Sequence, residues 1–303
     1  MKEIKIGIIG FDTSHVTAFT KHLNDVNDPY YVPGGKVVAG YPSFSPDLEA
    51  SYSRVDGFTK ELTEKWGVKL VPSIKKLLKE VDAVLLESVD GRRHLKEALP
   101  VIKSGKPLFI DKPMAASFKD TKKIAALAKQ YNCPIFSSSS LRYEHNLINL
   151  RKDKELGAII GCDAFSPALL NPTNPGLFWY GIHGVEILYS FMGAGCQKLF
   201  SKYTEGTHVV VGEWKDGRIG TVRGLRKGAY SYGATVFGTN KVVQATYAED
   251  IPIYAQLIKE IISFFQTGKS PIPIEETLEM MKFMQAAMLS EKKGKEVFLS
   301  QIK

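Results

Sequence analysis

The segment Gly7-Ile8-Ile9-Gly10-Phe11-Asp12-Thr13-Ser14-His15 sets a carboxylate and an imidazole three residues apart, directly after an apolar run. A glycine-rich turn between a strand and a helix presents backbone N–H groups to a phosphate, and its usual spacing is G-x-G-x-x-G. Counted from Gly10, only the first glycine is present. Asp12 holds the second position and His15 the third. The second glycine normally lets the backbone approach a pyrophosphate, whereas an aspartate adds bulk and like charge. Two readings stay open. Gly10, Phe11, Asp12, Thr13, Ser14 and His15 form a phosphate turn, or they form a plain strand–helix turn with Asp12 or Thr13 as N-cap.

Other chemistry-bearing residues lie further along. Asp12, His15, His94, Asp111 and His183 could meet in one cleft, and imidazole with carboxylate suits zinc or another divalent ion. No two of them form an i, i+4 pair on one helix, so no metal site is expected. Phe178, Trp179 and Tyr180 stand beside His183, which glycines flank. The triplet is either core or a platform for the apolar face of a sugar ring.

These residues need elements to hold them. Ile4–Ile9 is an apolar run interrupted only by Lys5, as in a strand covered on both faces. Helical and strand segments then alternate through Pro134–Ser137, which predicts parallel strands with right-handed crossovers. After Ser137 the pattern changes. Ala158–Ala168 reads as a long strand, and Gly181–Met192 as a helix. His208–Trp214 and Arg218–Leu225 flank the turn Lys215-Asp216-Gly217, and Ala234–Gly238 pairs with Lys241–Ala248 around Thr239-Asn240. The expected fold is α/β. Residues 1–137 form a Rossmann-like nucleotide-binding domain. Residues 138–303 form an α+β substrate and oligomerisation domain on an open, mostly antiparallel sheet, with the C-terminal helices packing back on the structure.

Composition narrows the class. Forty basic against 32 acidic residues give a formal charge of +8, yet the lysines are scattered and no basic run adjoins an aromatic platform. A soluble enzyme for anionic ligands is expected rather than a nucleic-acid binder. Cys133, Cys162 and Cys196 are far apart and odd in number, which argues against disulfides or a zinc knuckle. With no signal peptide expected at the N-terminus and no run of about 18 apolar residues, the expected setting is cytoplasmic, with no membrane partner.

The stretch from Ala83 to Pro113 carries a strand, then Glu87-Ser88-Val89-Asp90-Gly91-Arg92-Arg93-His94, a helix, and Ser104-Gly105-Lys106-Pro107 leading to Asp111-Lys112-Pro113. It resembles the glucose–fructose oxidoreductase/inositol dehydrogenase/MocA family, in which a strand leads to a His-led helix, a Gly-Lys turn, a strand and a Glu-Lys-Pro motif. Here Asp111 replaces the glutamate. Arg142, the segment Gly181-Ile182-His183-Gly184-Val185-Glu186, and Ala286-Ala287 through Ser290 and Gly294 fit the same pattern, so the resemblance covers nearly the whole chain.

The resemblance implies NAD or NADP as cofactor and hydride transfer to or from a sugar or polyol carbon. It implies that Lys112 polarises the substrate oxygen and that His183, with an ordinary pKa near ~6.5, assists proton transfer. Arg142, Trp179 and Tyr180 would hold the substrate. Gly10 to His15, Ser43, Ser88, His94 and Asp111 would line the cofactor site. A homo-oligomer, dimer or tetramer, is expected as in similar proteins.

Two departures stand out. Many members carry an aspartate four residues before the histidine, where this chain has Trp179. The second strand is followed by no acidic residue before Asp47, while Ser43 and Ser45 could accept a phosphate, which leans toward NADP. They motivate two rival expectations: a ligand-binding or regulatory protein on the same scaffold, and a lyase or hydrolase with internally cycling, tightly held NAD.

Overall fold

The computed structural model describes residues 3–303. The first half contains β1 (Ile4–Ile9), α1 (His15–Asn24), β2 (Gly35–Tyr41), α2 (Glu49–Tyr52), α3 (Val55–Glu64), β3 (Lys69–Leu70), α4 (Ile74–Leu77), β4 (Ala83–Leu86), α5 (Gly91–Ser104), β5 (Leu108–Asp111), α6 (Phe118–Gln130) and β6 (Ile135–Ser138). The six strands form one parallel sheet in the order β3-β2-β1-β4-β5-β6. The order reverses between β1 and β4. In such sheets that reversal opens a crevice at the carboxyl ends of the strands. Ile6, Ile8 and Ile9 of β1 and all four residues of β4 are fully buried, as the apolar runs require of central parallel strands.

The second half contains α7 (His145–Lys152), β7 (Ile159–Pro167), α8 (Ile182–Met192), β8 (Cys196–Tyr203), β9 (Thr207–Trp214), β10 (Ile219–Leu225), β11 (Gly233–Gly238), β12 (Val242–Thr246), α9 (Ile253–Thr267), α10 (Ile274–Lys293) and β13 (Val297–Phe298). Its sheet runs β12-β11-β7-β10-β9-β8-β13. Every pairing is antiparallel except β7 with β10. The fold is therefore α/β with a Rossmann-order parallel sheet and a second, mostly antiparallel sheet. Strand β8 lacks a clean alternation of buried and exposed residues, so nothing in its sequence announces it. Helix α8 is buried on nearly every side, with only Ser190 less than buried. It lies close on β7: the Gly184 N–H donates to Ser166 Oγ at 3.0 Å, and a Cβ at Gly184 would come within 2.9 Å of that oxygen.

The chain separates into two compact units that are discontinuous in sequence. One holds Met1–Ala115, Asp120–Ser138 and Tyr254–Ile274; the other holds Ala116–Lys119, Ser139–Ile253 and Glu275–Lys303. A single boundary at residue 137 therefore does not describe the division. Helix α9 belongs almost wholly to the first unit, because its apolar face packs there: Phe264 meets Phe136 at 5.7 Å between ring centroids, and Ile262 lies against Gly35.

Candidate active site

In the first unit the functional residues gather at the carboxyl ends of β1, β2, β4 and β5. Gly10 takes φ +85°, a left-handed conformation, and its Cα lies against Ser88, so a side chain there would collide with that backbone. Helix α1 follows with no acidic residue in its first turn and no side-chain cap. Such a helix start suits an anion. Asp12 does not present its charge to the turn. The side chain is fully buried, accepting from Ser51 Oγ and from the Val89 N–H at 2.9 Å, and burial holds its pKa above the usual carboxylate value. The phosphate end of the turn thus fits a dinucleotide.

Two further buried carboxylates tie the loop after β2 to α5. Glu97 accepts from Ser43 Oγ, from Ser88 Oγ at 2.6 Å and from Arg93 Nε at 2.9 Å. Asp90 caps α5 through the Arg92 N–H at 3.0 Å and accepts from Ser45 Oγ at 2.7 Å. Burial alone would raise the Asp90 pKa; the bonds from Arg92 and Ser45 outweigh it and hold the group low. Ser43 and Ser45 are therefore bound to carboxylates, an environment that repels a phosphate despite Arg93. This disfavours the phosphate-accepting role for those serines.

His15 at the start of α1, Glu87 just after β4 and Asp111 at the end of β5 form a separate cluster. His15 Nδ1 lies 3.0 Å from Asp111 Oδ2 and 3.7 Å from Glu87 Oε2. The His15 ring sits 5.6 Å from Phe19 and 4.8 Å from Tyr254. Burial opposes charge on His15, but the Asp111 carboxylate overrides it and holds the imidazole pKa up; His15 in turn holds Asp111 low against its own burial. Glu87 is pushed up by burial. Lys112, half-buried at the following position, acts electrostatically on all three. His94 is fully buried, with Nδ1 3.0 Å from Pro113 O and Nε2 2.6 Å from Ser88 O, so it braces two loops. Phe11 is also fully buried, its ring against Gly40. Thr13 is buried and Ser14 exposed.

In the second unit, His183 opens α8. Its ring is 5 % exposed, lies 5.1 Å from Tyr180 and 5.7 Å from Tyr232, and places Nδ1 2.6 Å from Ser139 Oγ. Ser139 Oγ also accepts from the Leu141 N–H, and the Ser139 N–H donates to Glu186 Oε1 at 3.1 Å. Arg142 donates from Nε to Glu186 Oε2 at 2.7 Å and from Nη2 to Glu276 Oε1 at 2.7 Å. Burial works against the guanidinium, but these two carboxylates hold its pKa well up. Trp179 and Tyr180 are half-buried, while Phe178 is core.

Of the five residues weighed as metal ligands, the structure joins His15 with Asp111 and gives Asp12 and His94 other partners. Glu87, Glu97, Ser51 and Ser139 are the residues that sequence reasoning overlooked. Glu87 stands directly after the all-apolar strand β4, and that position is the signal in the sequence.

Residues 4–139 match the GFO_IDH_MocA family, the oxidoreductase family with an NAD-binding Rossmann fold. No curated protein matches the chain. Among solved structures, the chain is similar to a probable dehydrogenase from Thermotoga maritima, with a TM-score of 0.82 at 20% identity over 99% of this chain and 100% of that one. It is similar to myo-inositol 2-dehydrogenase from Lactobacillus plantarum, with a TM-score of 0.80 at 17% identity over 98% and 99%. It is also similar to scyllo-inositol dehydrogenase from Lactobacillus casei with bound NAD(H) and scyllo-inositol, with a TM-score of 0.80 at 15% identity over 99% and 100%.

Proposed function

We propose, for a chain whose residues 4–139 belong to the NAD-binding Rossmann-fold oxidoreductase family, that it is an NAD-dependent dehydrogenase of a polyol or sugar hydroxyl. The observation that carries this reading is the Gly10 turn at the β1–β4 reversal, whose helix start suits an anion and whose Asp12 charge is bound inside the protein. The substrate class is supported by the inositol dehydrogenases among the structures of the same fold.

Bound NAD supplies the hydride acceptor. The Lys112 ammonium donates a hydrogen bond to the reacting hydroxyl oxygen and stabilises the alkoxide charge that develops there. His183 takes the hydroxyl proton. Its Nδ1 lies 2.6 Å from Ser139 Oγ, a contact that orients the ring. This gives the histidine the role that an aspartate at Trp179 would share. Trp179 and Tyr180 hold the apolar face of the substrate, and Arg142 keeps α8 in register through Glu186.

The exposed apolar side chains of the second sheet, including Ile160, Phe200, Val211, Ile219 and Val242, support a homo-oligomer built on that sheet. Light scattering on the purified protein tests it, with a monomer as the contrary result. Among the described residues, no helix is long and apolar enough to cross a membrane.

Calorimetry with NAD, NADH, NADP and NADPH is the first test of function. NAD and NADH are expected to bind more tightly than the phosphorylated pair. If none binds below about 1 mM, the oxidoreductase reading fails and a ligand-binding role on the same scaffold takes its place. A panel of inositols and sugars is then screened for NADH absorbance. Bound cofactor with substrate turnover and no net NADH would turn the reading to a lyase or hydrolase.

A further inference from the structure

We infer that His15, Glu87 and Asp111 form a binding site for a divalent transition-metal ion at the carboxyl edge of the parallel sheet. The inference does not depend on the dehydrogenase reading. The three side chains come from the first residue of α1, the residue after β4 and the last residue of β5, and offer one imidazole nitrogen and two carboxylates whose ligand atoms all lie within 4.8 Å of one another.

The spacing suits an ion. Donors bound at about 2.1 Å stand roughly 3.0 Å apart at a right angle and roughly 3.4 Å apart at a tetrahedral angle. The observed separations from His15 Nδ1 are 3.0 Å to Asp111 and 3.7 Å to Glu87. Glu87 has to move inward to close on the ion, from a position where all three ligand atoms already lie within 4.8 Å of one another.

Glu87 is the second, independent observation. Its side chain is fully buried, and neither carboxylate oxygen has a hydrogen-bond partner. Buried carboxylates are almost always bonded, and an orphan one is costly. His15 Nδ1 is likewise without a properly aligned hydrogen bond; its contact with Asp111 is close but misdirected for one. A buried carboxylate left unbonded beside the His15–Asp111 pair is arranged for a third party. An ion that displaces the His15 proton meets two carboxylates and a neutral imidazole, a charge of −2 that a divalent cation cancels. Lys112 and the start of α1 are the nearby positive influences that oppose the ion. One nitrogen and two oxygens favour Zn2+ or Mn2+ over Mg2+, which prefers oxygen alone.

The test is calorimetry of Zn2+ and Mn2+ on chelator-treated full-length protein, beside the variants Glu87→Gln and Asp111→Asn. One ion per chain is expected, with binding weakened at least about 100-fold in each variant. No binding below about 1 mM for either ion, or equal affinity in wild type and variants, would overturn the site. Crystals of the wild type soaked in Mn2+ decide independently of variant folding. An anomalous peak between His15 Nδ1, Glu87 and Asp111 is expected, and a peak elsewhere or none refutes the inference.

Discussion

Two buried glutamates stand at corresponding depths in the two units and live in opposite circumstances. Glu186, on α8, is 2 % exposed, and each of its oxygens accepts a hydrogen bond, one from the Ser139 N–H and one from Arg142. Glu87, at the end of β4, is 0 % exposed, and neither oxygen has a hydrogen-bond partner. The first is part of the architecture, since its charge is neutralised by a guanidinium that also binds Glu276. The second is surplus to the architecture. A buried group that the fold does not need to satisfy points to function, whereas a saturated one points to stability.

The largest test of that contrast is Arg142→Met. It leaves Glu186 and Glu276 without their cation, and stability is expected to fall by about 3–5 kcal/mol in urea unfolding. A loss under 1 kcal/mol would show that the pair is not structural. Lys112→Ala lies on the functional side. It is expected to lower kcat by about 10²–10³ while calorimetry shows nucleotide affinity unchanged; a drop in affinity of the same size would make Lys112 a cofactor residue instead.

His208 gives a pH-dependent member of the saturated class. Burial first, then the Arg226 guanidinium, push its pKa down to about 4. It is held neutral beside Ser201 Oγ at 2.7 Å, with Arg226 3.0 Å from Nδ1. The unfolded chain takes up a proton near ~6.5 while the folded protein waits until about 4. The stability contribution is therefore full above about pH 6.5 and lost as pH falls toward 4, by about 2–3 kcal/mol. Urea unfolding at pH 7 and pH 4.5 should show that loss in the wild type and little of it in His208→Gln. The smallest effects compare the two glutamates directly in metal-free protein. Glu186→Gln is expected to cost about 2 kcal/mol, and Glu87→Gln less than about 1 kcal/mol of either sign. Equal losses would erase the distinction.

The parallel sheet was legible because its central strands are largely apolar runs bounded by turns, a pattern that local residues alone enforce. The departures at Asp12 and His15 were legible as departures, but not where the side chains go. Asp12 finds Ser51 and Val89, and His15 finds Glu87 and Asp111, through contacts far apart in sequence. The same holds for Arg142 and Glu276, 134 residues apart. Spacing rules describe neighbours on one element and carry no information about such pairs. Ser43 was readable as a polar residue after β2, while the Glu97 carboxylate that changes its meaning lies on α5.

The late return of α9 to the first unit has a consequence for synthesis. Tyr254 supplies an aromatic wall for His15, and Phe264 covers Phe136. A ribosome that has finished β6 has therefore made every strand of the parallel sheet but not the helix that completes its core. More than a hundred further residues must emerge first. The nascent sheet is expected to wait, partly uncovered, and a fragment ending at residue 138 is expected to aggregate rather than fold.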